Sequence, residues 1–293
     1  MNKEILVVGS ITIDNTIISK EMPKAGVTTI ADSFFSNVGG KGANQACASL
    51  FLGGDVTFIG SIGKDANGEN IKKFLVDKKL KAYLKQSDKP TGVAFITIDE
   101  KGENQILIVQ GANADLQISD IEKYDELFQA DKILLTQFEN NIETVQHMIK
   151  KGSKRNMTVV VNPAPVKPFD ESYYQYIDYI VPNEHEVELL TGQLDPVEGS
   201  KILLQKGCKN VIVTLGENGS VLVNSGGICY VKPHKVKAID TTAAGDSYLG
   251  ALVSKMSQGS DIIEAMEFAS LASSVAVTKK GAIMSLPHLE DLK

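Results

Sequence analysis

Two short stretches of this 293-residue chain carry residue types that could do chemistry. The first is Asp240-Thr241-Thr242-Ala243-Ala244-Gly245-Asp246, which runs into Ser247-Tyr248-Leu249-Gly250-Ala251-Leu252-Val253. Small side chains crowd the turn. Apolar residues then recur at Leu249, Leu252, Val253 and Met256, a helical spacing. A helix start presents unpaired backbone N–H groups and the positive end of a dipole, which suits an anion such as phosphate. Asp246 would repel that phosphate. Its carboxylate makes chemical sense if it faces a second reactant and accepts a proton from it. The chemistry is then phosphoryl transfer to a hydroxyl. Taken alone, the stretch is better explained as a tight turn whose acid stabilises the helix through its dipole.

The second stretch is Asn37-Val38-Gly39-Gly40-Lys41-Gly42-Ala43-Asn44-Gln45-Ala46. Its three glycines let the backbone approach a ligand closely. A helix begins there, and Gly53-Gly54 ends it. The pattern is not GxxxxGK[ST], because Gly42 follows Lys41, and it is not GxGxxG, so P-loop and dinucleotide readings lose their main support. Lys41 and Asn44 are suited to sugar hydroxyls. An ordinary glycine-rich turn before a helix explains the stretch equally well in isolation.

These residues must be held by a scaffold. Hydrophobic content is 43% and charged content 23%, an ordinary globular balance in a chain long enough for one large core. The net charge of −6 argues against nucleic acid or an anionic membrane as the main partner. Cys47, Cys208 and Cys229 have no CxxC spacing and read as reduced thiols of a cytoplasmic protein. The apolar run at Ile5–Gly9 is too short for a signal peptide, and no run reaches membrane-spanning length.

Buried parallel strands are predicted at Ile5–Gly9, Val56–Gly60, Ile133–Thr136, Thr158–Asn162, Tyr179–Pro182 and Val211–Leu215. Helices are predicted between them at Ala43–Leu52, Asn67–Lys78, Ile142–Lys151 and Glu184–Leu190. The alternation implies a layered α/β fold with a mostly parallel sheet. Val211–Leu215, Ser220–Val223 and Ile228–Val231 read as an antiparallel meander at one edge. Thr28–Val38 and the hairpin Gly92–Ile98/Asn104–Val109 adjoin no helix. They read either as edge strands of the main sheet or as a separate small sheet that closes over a substrate. Such a sheet exposes an apolar face, which predicts dimerisation through it.

Further blocks join the two glycine-rich stretches: Gly9-Ser10 with Asp14, Gln137-Phe138-Glu139, Asn162-Pro163-Ala164-Pro165, Pro182-Asn183-Glu184-His185-Glu186, Thr214-Leu215-Gly216-Glu217-Asn218-Gly219 and Val277-Thr278-Lys279-Lys280-Gly281-Ala282. Together they resemble the ribokinase family of carbohydrate kinases, over nearly the whole chain. The resemblance implies a three-layer α/β/α fold with a mostly parallel central sheet. Residues 1–293 would form one domain, with a small β-sheet lid from about 12–40 and 88–112. It implies Asp246 as the catalytic base and the backbone N–H groups of Ala243, Ala244, Gly245 and Asp246 as an anion hole. Thr12, Asp14, Gly39, Gly40, Lys41, Asn44 and Glu139 fall at sugar-contacting positions. For Asp14 the plainer reading is a turn residue, and for Glu139 an acid opening the helix at Ile142. Asn183 and Glu186 match an Asn-x-x-Glu motif near the phosphates and Mg²⁺, and also suit a capping box. Thr214, Gly216, Glu217 and Gly219 match the ATP loop, and Ser270 falls beside adenine. Asp240, Thr242, Ala276, Lys279, Gly281 and Ser285 match positions that ligate K⁺, largely through carbonyls.

The implied reaction is ATP-dependent phosphorylation of a pentose at its primary hydroxyl, D-ribose to ribose 5-phosphate. Thr12 stands where such kinases usually place an Asn that touches the sugar, Val27 replaces a common Glu, and Leu249 replaces a frequent Asn. These departures keep open 2-deoxyribose, a fructose-type sugar or a nucleoside, and a catalytically silent sugar-binding regulator remains the different-class alternative.

Overall fold

The computed structural model describes residues 2–22, 25–101 and 104–292. Strands β1 (Glu4–Val8), β2 (Thr12–Ile18) and β3 (Ser33–Gly39) lead into helix α1 (Lys41–Phe51). Strand β4 (Asp55–Gly63), helix α2 (Ala66–Asp77) and strand β5 (Lys81–Ser87) follow, then strands β6 (Gly92–Ile98) and β7 (Asn104–Val109). After the short helix α3 (Ile118–Glu122) come β8 (Ile133–Gln137), α4 (Ile142–Lys154), β9 (Thr158–Asn162), β10 (Tyr179–Ile180), α5 (Glu184–Thr191), α6 (Pro196–Gln205) and β11 (Asn210–Thr214). The strands β12 (Ser220–Asn224) and β13 (Gly227–Val231) precede helices α7 (Ala244–Ser257) and α8 (Ile262–Ala276).

Nine strands form one sheet in the order β13-β12-β11-β10-β9-β8-β1-β4-β5. From β11 to β5 every pairing is parallel, and β12 and β13 add the expected antiparallel meander. Strand residues alternate between two cores, as the period of two requires. Ile5, Val7, Ile133, Leu135 and Val160 pack with α1, α2, α7 and α8, while Leu6, Val8, Leu134, Val159 and Val161 pack with α4, α5 and α6. Burial on both faces explains why these strands read as continuous apolar runs. The result is the three-layer α/β/α arrangement. Helices α2 and α6 start where their residues cap them: Asp65 accepts from Gly68 N at 2.8 Å, and Asp195 accepts from Val197 N and Glu198 N ahead of Pro196 at the first helical position.

A second sheet has the order β3-β2-β6-β7. The two β-rich stretches without helices therefore pair with each other, not with the edge of the main sheet. In register, Thr12 faces Gly39 on one side and Gly92 on the other, so the small sheet joins the body at the end that carries these residues. Strands β6 and β7 form the predicted hairpin; Gly102 and Glu103 of its turn lie outside the described residues. No helix among the described residues is long and apolar enough to cross a membrane.

Candidate active site

The main sheet is parallel from β11 to β5, and strand order reverses around β1. The loops leaving the carboxyl ends of β1, β8, β9 and β11 therefore converge on one crevice, the place where open α/β sheets bind ligands. Gln137 and Asn162 are the last residues of β8 and β9, Thr214 is the last of β11, and Gly9-Ser10 follow β1. A cleft of about 200 Å³ opens there. Lys41, Asn183, Glu186, Thr214 and the run Ala243–Asp246 line it, together with Asn162, Val181, Thr241 and Leu249.

Asp246 sits in the first turn of α7, only 5% exposed. Its Oδ2 accepts from Asn44 Nδ2 and its Oδ1 from Gln45 Nε2, both at 2.8 Å. A buried carboxylate needs such donors, because burial without them is costly. The helix opens on Ala243, a non-glycine residue at φ +59°. Ser247 N closes the first full turn onto Ala243 O at 2.8 Å. The N–H groups of Gly245 and Asp246 precede that turn and have no acceptor within the helix. The Ala244 N–H, expected in the anion hole, bonds Thr241 O at 3.2 Å.

The Gly39–Gly42 stretch is packed hard against the body. Gly40, at φ +90°, precedes Lys41, the first residue of α1. A Cβ on Gly42 would stand 2.6 Å from backbone atoms of Gly9 and Ser10, and one on Gly39 would stand 1.9 Å from Asp14 Oδ2. Glu139 does not open α4, whose cap is Asn141. Its Oε2 instead accepts the Lys41 N–H at 3.0 Å and the Ser10 hydroxyl, so it caps α1 from 98 residues away. Asp14 accepts the Thr12 hydroxyl at 2.7 Å.

The electrostatics follow from this crowding. Burial, with the charges of Glu139 and Asp246, pushes the Asp14 carboxyl up to about 6, although the Thr12 bond opposes it. Burial would lower the Lys41 ammonium, but Asp246, Glu139 and Glu186 around it outweigh that and raise it. Glu186 is pushed up, mainly by burial.

Asn183 and Glu186 form the capping box of α5: Glu186 N donates to Asn183 Oδ1 at 2.8 Å and Asn183 N to Glu186 Oε2 at 2.9 Å. That leaves Glu186 Oε1 and the Asn183 amide nitrogen outside the box, beside the cleft. Gly216 at φ +53° and Gly219 at φ +90° bracket the turn after Thr214, with Glu217 exposed between them. The Ser270 hydroxyl donates to Lys232 O at 3.2 Å. The loop before α7 is tied to the loop after α8. Asp240 accepts from Thr242 N at 2.9 Å and Gly281 N at 2.8 Å, and these N–H groups hold its carboxyl low against its burial. Nearby, Lys279 N donates to Ala276 O at 3.1 Å, and the Ser285 hydroxyl to Ala282 O at 2.8 Å. The Lys279 ammonium turns away onto Asp291 at 3.2 Å.

Sequence reasoning singled out Asn44 but not its neighbour Gln45, which holds the other oxygen of Asp246. It also passed over Asn113, whose side-chain amide bonds both the N–H and the C=O of Ile11, at 3.0 and 2.8 Å, and so fixes the strand that presents Thr12 and Asp14. Gln45 lay inside a recognised block; a polar side chain in a helix otherwise rich in small apolar residues was the available signal.

Residues 2–289 match the model of the pfkB family of carbohydrate kinases. The chain is 35% identical over 297 residues to a deoxyribokinase of Salmonella typhi, covering 98% of this chain and 96% of the relative. A solved ribokinase from Thermotoga maritima superposes with a TM-score of 0.93 at 36% identity, covering 99% of this chain and 98% of the other. A ribokinase from Arabidopsis thaliana, complexed with ribose and ATP, superposes with a TM-score of 0.91 at 29% identity, covering 100% and 98%.

Proposed function

The chain belongs to the pfkB family and is an ATP-dependent sugar kinase of the ribokinase type, and from that premise we propose that it phosphorylates the primary hydroxyl of a pentose, D-ribose first among them. One observation carries the reading: a buried carboxylate, Asp246, at a helix N-terminus and within the field of the Lys41 ammonium. The sugar's hydroxyl gives its proton to Asp246 as its oxygen bonds the γ-phosphorus, and the bond from that phosphorus to the bridging oxygen breaks to leave ADP. The Gly245 and Asp246 N–H groups, with Ala243 and Ala244 shaping the turn, would stabilise the charge on the moving phosphoryl group. Thr12, Asp14, Gly39, Gly40, Lys41, Asn44 and Glu139 would hold the sugar. Thr214, Gly216, Glu217, Gly219 and Ser270 would hold the nucleotide.

Mg²⁺ prefers oxygen ligands and is commonly shared with the phosphates it serves. The Glu186 Oε1 left over from the capping box fits a contact with that hydrated ion, which would neutralise phosphate charge. For K⁺, the Asp240 carboxylate and the carbonyls of the Thr242, Ala276, Lys279, Gly281 and Ser285 loops would form an oxygen-rich shell beside the turn. We also expect a homodimer through the small sheet acting as a lid: by register Phe34, Phe95, Leu107 and Val109 share the face opposite Thr12 and Asp14, and all four are exposed. The composition and charge fit a cytoplasmic enzyme.

A second substrate is favoured by Thr12. Its hydroxyl proton is committed to Asp14, so toward a sugar it can only accept, and 2-deoxyribose would forfeit at most one accepted bond there. The test is ADP release with MgATP and K⁺ against ribose, 2-deoxyribose, other pentoses, fructose and nucleosides. We expect the highest kcat/KM with ribose and the next with 2-deoxyribose. A preference for a hexose or nucleoside would overturn the pentose assignment, and no turnover with any of them would favour a sugar-binding regulator.

A further inference from the structure

Behind Asp246 lies a chain of buried amides that the reaction itself does not call for. Gln45 Nε2 donates to Asp246 Oδ1 at 2.8 Å and to Asn162 Oδ1 at 3.2 Å. Gln45 Oε1 accepts from Gln137 Nε2 at 2.7 Å. Asn162 Nδ2 donates to Val181 O at 3.1 Å. Gln45 and Gln137 are fully buried, and Asn162 is 6% exposed.

The direction of every bond in this chain follows from its ends. An ionised carboxylate and a peptide carbonyl only accept. Val181 O therefore demands the nitrogen of Asn162, which turns the Asn162 oxygen toward Gln45. Asp246 demands the nitrogen of Gln45 from the other side. With both N–H groups spent on acceptors, the Gln45 oxygen must face Gln137 and take its N–H. The chain ends at Gln137 Oε1, for which the described residues supply no partner. That oxygen lies 2.0 Å from the place a Cβ on Gly9 would occupy, so the glycine after β1 makes room for it.

We infer that Gln45 is a positioning residue for the phosphoryl transfer. Its amide, locked as a donor by Asn162 and Gln137, fixes the plane of the Asp246 carboxylate. Asn44 holds one carboxylate oxygen and Gln45 the other, so the group cannot rotate about its terminal bond. The lone pairs left over point in set directions, toward the cleft where a hydroxyl would give up its proton. Fixing a base in this way raises turnover through orientation and leaves substrate affinity alone. The inference rests on the reading of Asp246 as the base.

The experiment compares Gln45→Met, Asp246→Asn and the double variant, with MgATP and ribose or 2-deoxyribose, whichever is turned over faster. Gln45→Met should lower kcat by about 10- to 100-fold, the scale of a misplaced catalytic group, with KM for sugar and for ATP unchanged. In the Asp246→Asn background the same change should cost no further turnover. Gln137→Met, which removes only the donor to Gln45, should show a smaller loss of the same kind and serves if Gln45→Met does not fold. Unchanged kcat in a folded Gln45→Met or Gln137→Met, or a rise in KM that accounts for the whole loss in kcat/KM, would overturn the positioning role. Turnover near wild type in Asp246→Asn would instead overturn the base assignment. Thermal melting of the four proteins then still reads the contact: non-additive shifts support the Gln45–Asp246 coupling, and additive shifts refute it.

Discussion

The two glycine-rich turns look alike in sequence and differ in what requires their small residues. In the turn at Gly39–Gly42 the protein itself leaves no room: added Cβ atoms would meet Asp14 or the backbone after β1 at 1.9 to 2.9 Å. In the turn at Ala243–Asp246 a Cβ on Gly245 would meet nothing within 4 Å. There the residue that suffers is Ala243, held at φ +59° where glycine would rest at no cost. The first turn is small because two parts of the chain must touch. The second is small toward open space, as expected of a backbone that a reactant approaches.

Substitutions can sharpen or break that contrast. The largest effect is expected at Asp246, where Asp246→Asn should cost roughly 10² to 10⁴ in kcat with the fold kept but stability lowered by about 1–3 kcal/mol, because the new amide nitrogen would meet the Asn44 or Gln45 donor; steady-state kinetics and calorimetry check both halves. Gly42→Ala should act on the fold, costing about 1–3 kcal/mol by overpacking, readable in denaturant melts, and an unchanged midpoint would refute the steric account. Gly245→Ala should do the opposite. It adds a better helix former in open space, so stability should hold or rise by up to about 1 kcal/mol while phosphoryl transfer weakens. A variant that melts early but turns over normally would erase the distinction between the turns.

Asp14, pressed by Gly39, supplies a pH test. Its carboxyl titrates at about 6 in the fold against 3.8 ordinarily. Between those values the folded protein holds a proton that the unfolded chain has lost. Stability contributed by this group is therefore greatest below about pH 4, falls as pH rises to about 6, and is flat above. Asp14→Asn should remove that slope from urea melts run between pH 4 and 7, and a slope unchanged in the variant would assign it elsewhere. The smallest effect is expected at Ala243→Gly, where relief of the left-handed backbone and the added freedom of the unfolded chain nearly cancel, within about 1 kcal/mol.

Much of the scaffold was legible because it rests on short-range physics. Strands buried on both faces read as apolar runs, so β1, β8, β9 and β11 were visible. Strand β5 was not: at the sheet edge, its core-facing residues Ala82, Tyr83 and Leu84 are only partly buried and stand between polar neighbours. The Asn183/Glu186 box was legible for the same reason, since both partners lie within one helical turn. Glu139 shows the limit. Its neighbours Asn140-Asn141-Ile142 suggested the helix at Ile142, yet it caps α1, because only the packed sheet brings the loops after β1 and β8 together.

By itself, then, the sequence determined the alternation of strands and helices, the two turns, and the acid at the start of α7. Those depend on backbone sterics, side-chain periodicity and hydrogen bonds spanning a few residues. Only the tertiary structure decided what Asp246 touches. Its two donors lie about 200 residues away, and no local pattern reports a contact of that separation. Which amide end faces the carboxylate is set one contact beyond, by Val181 O through Asn162 and by Gln137, through acceptors and donors that must match once water is excluded.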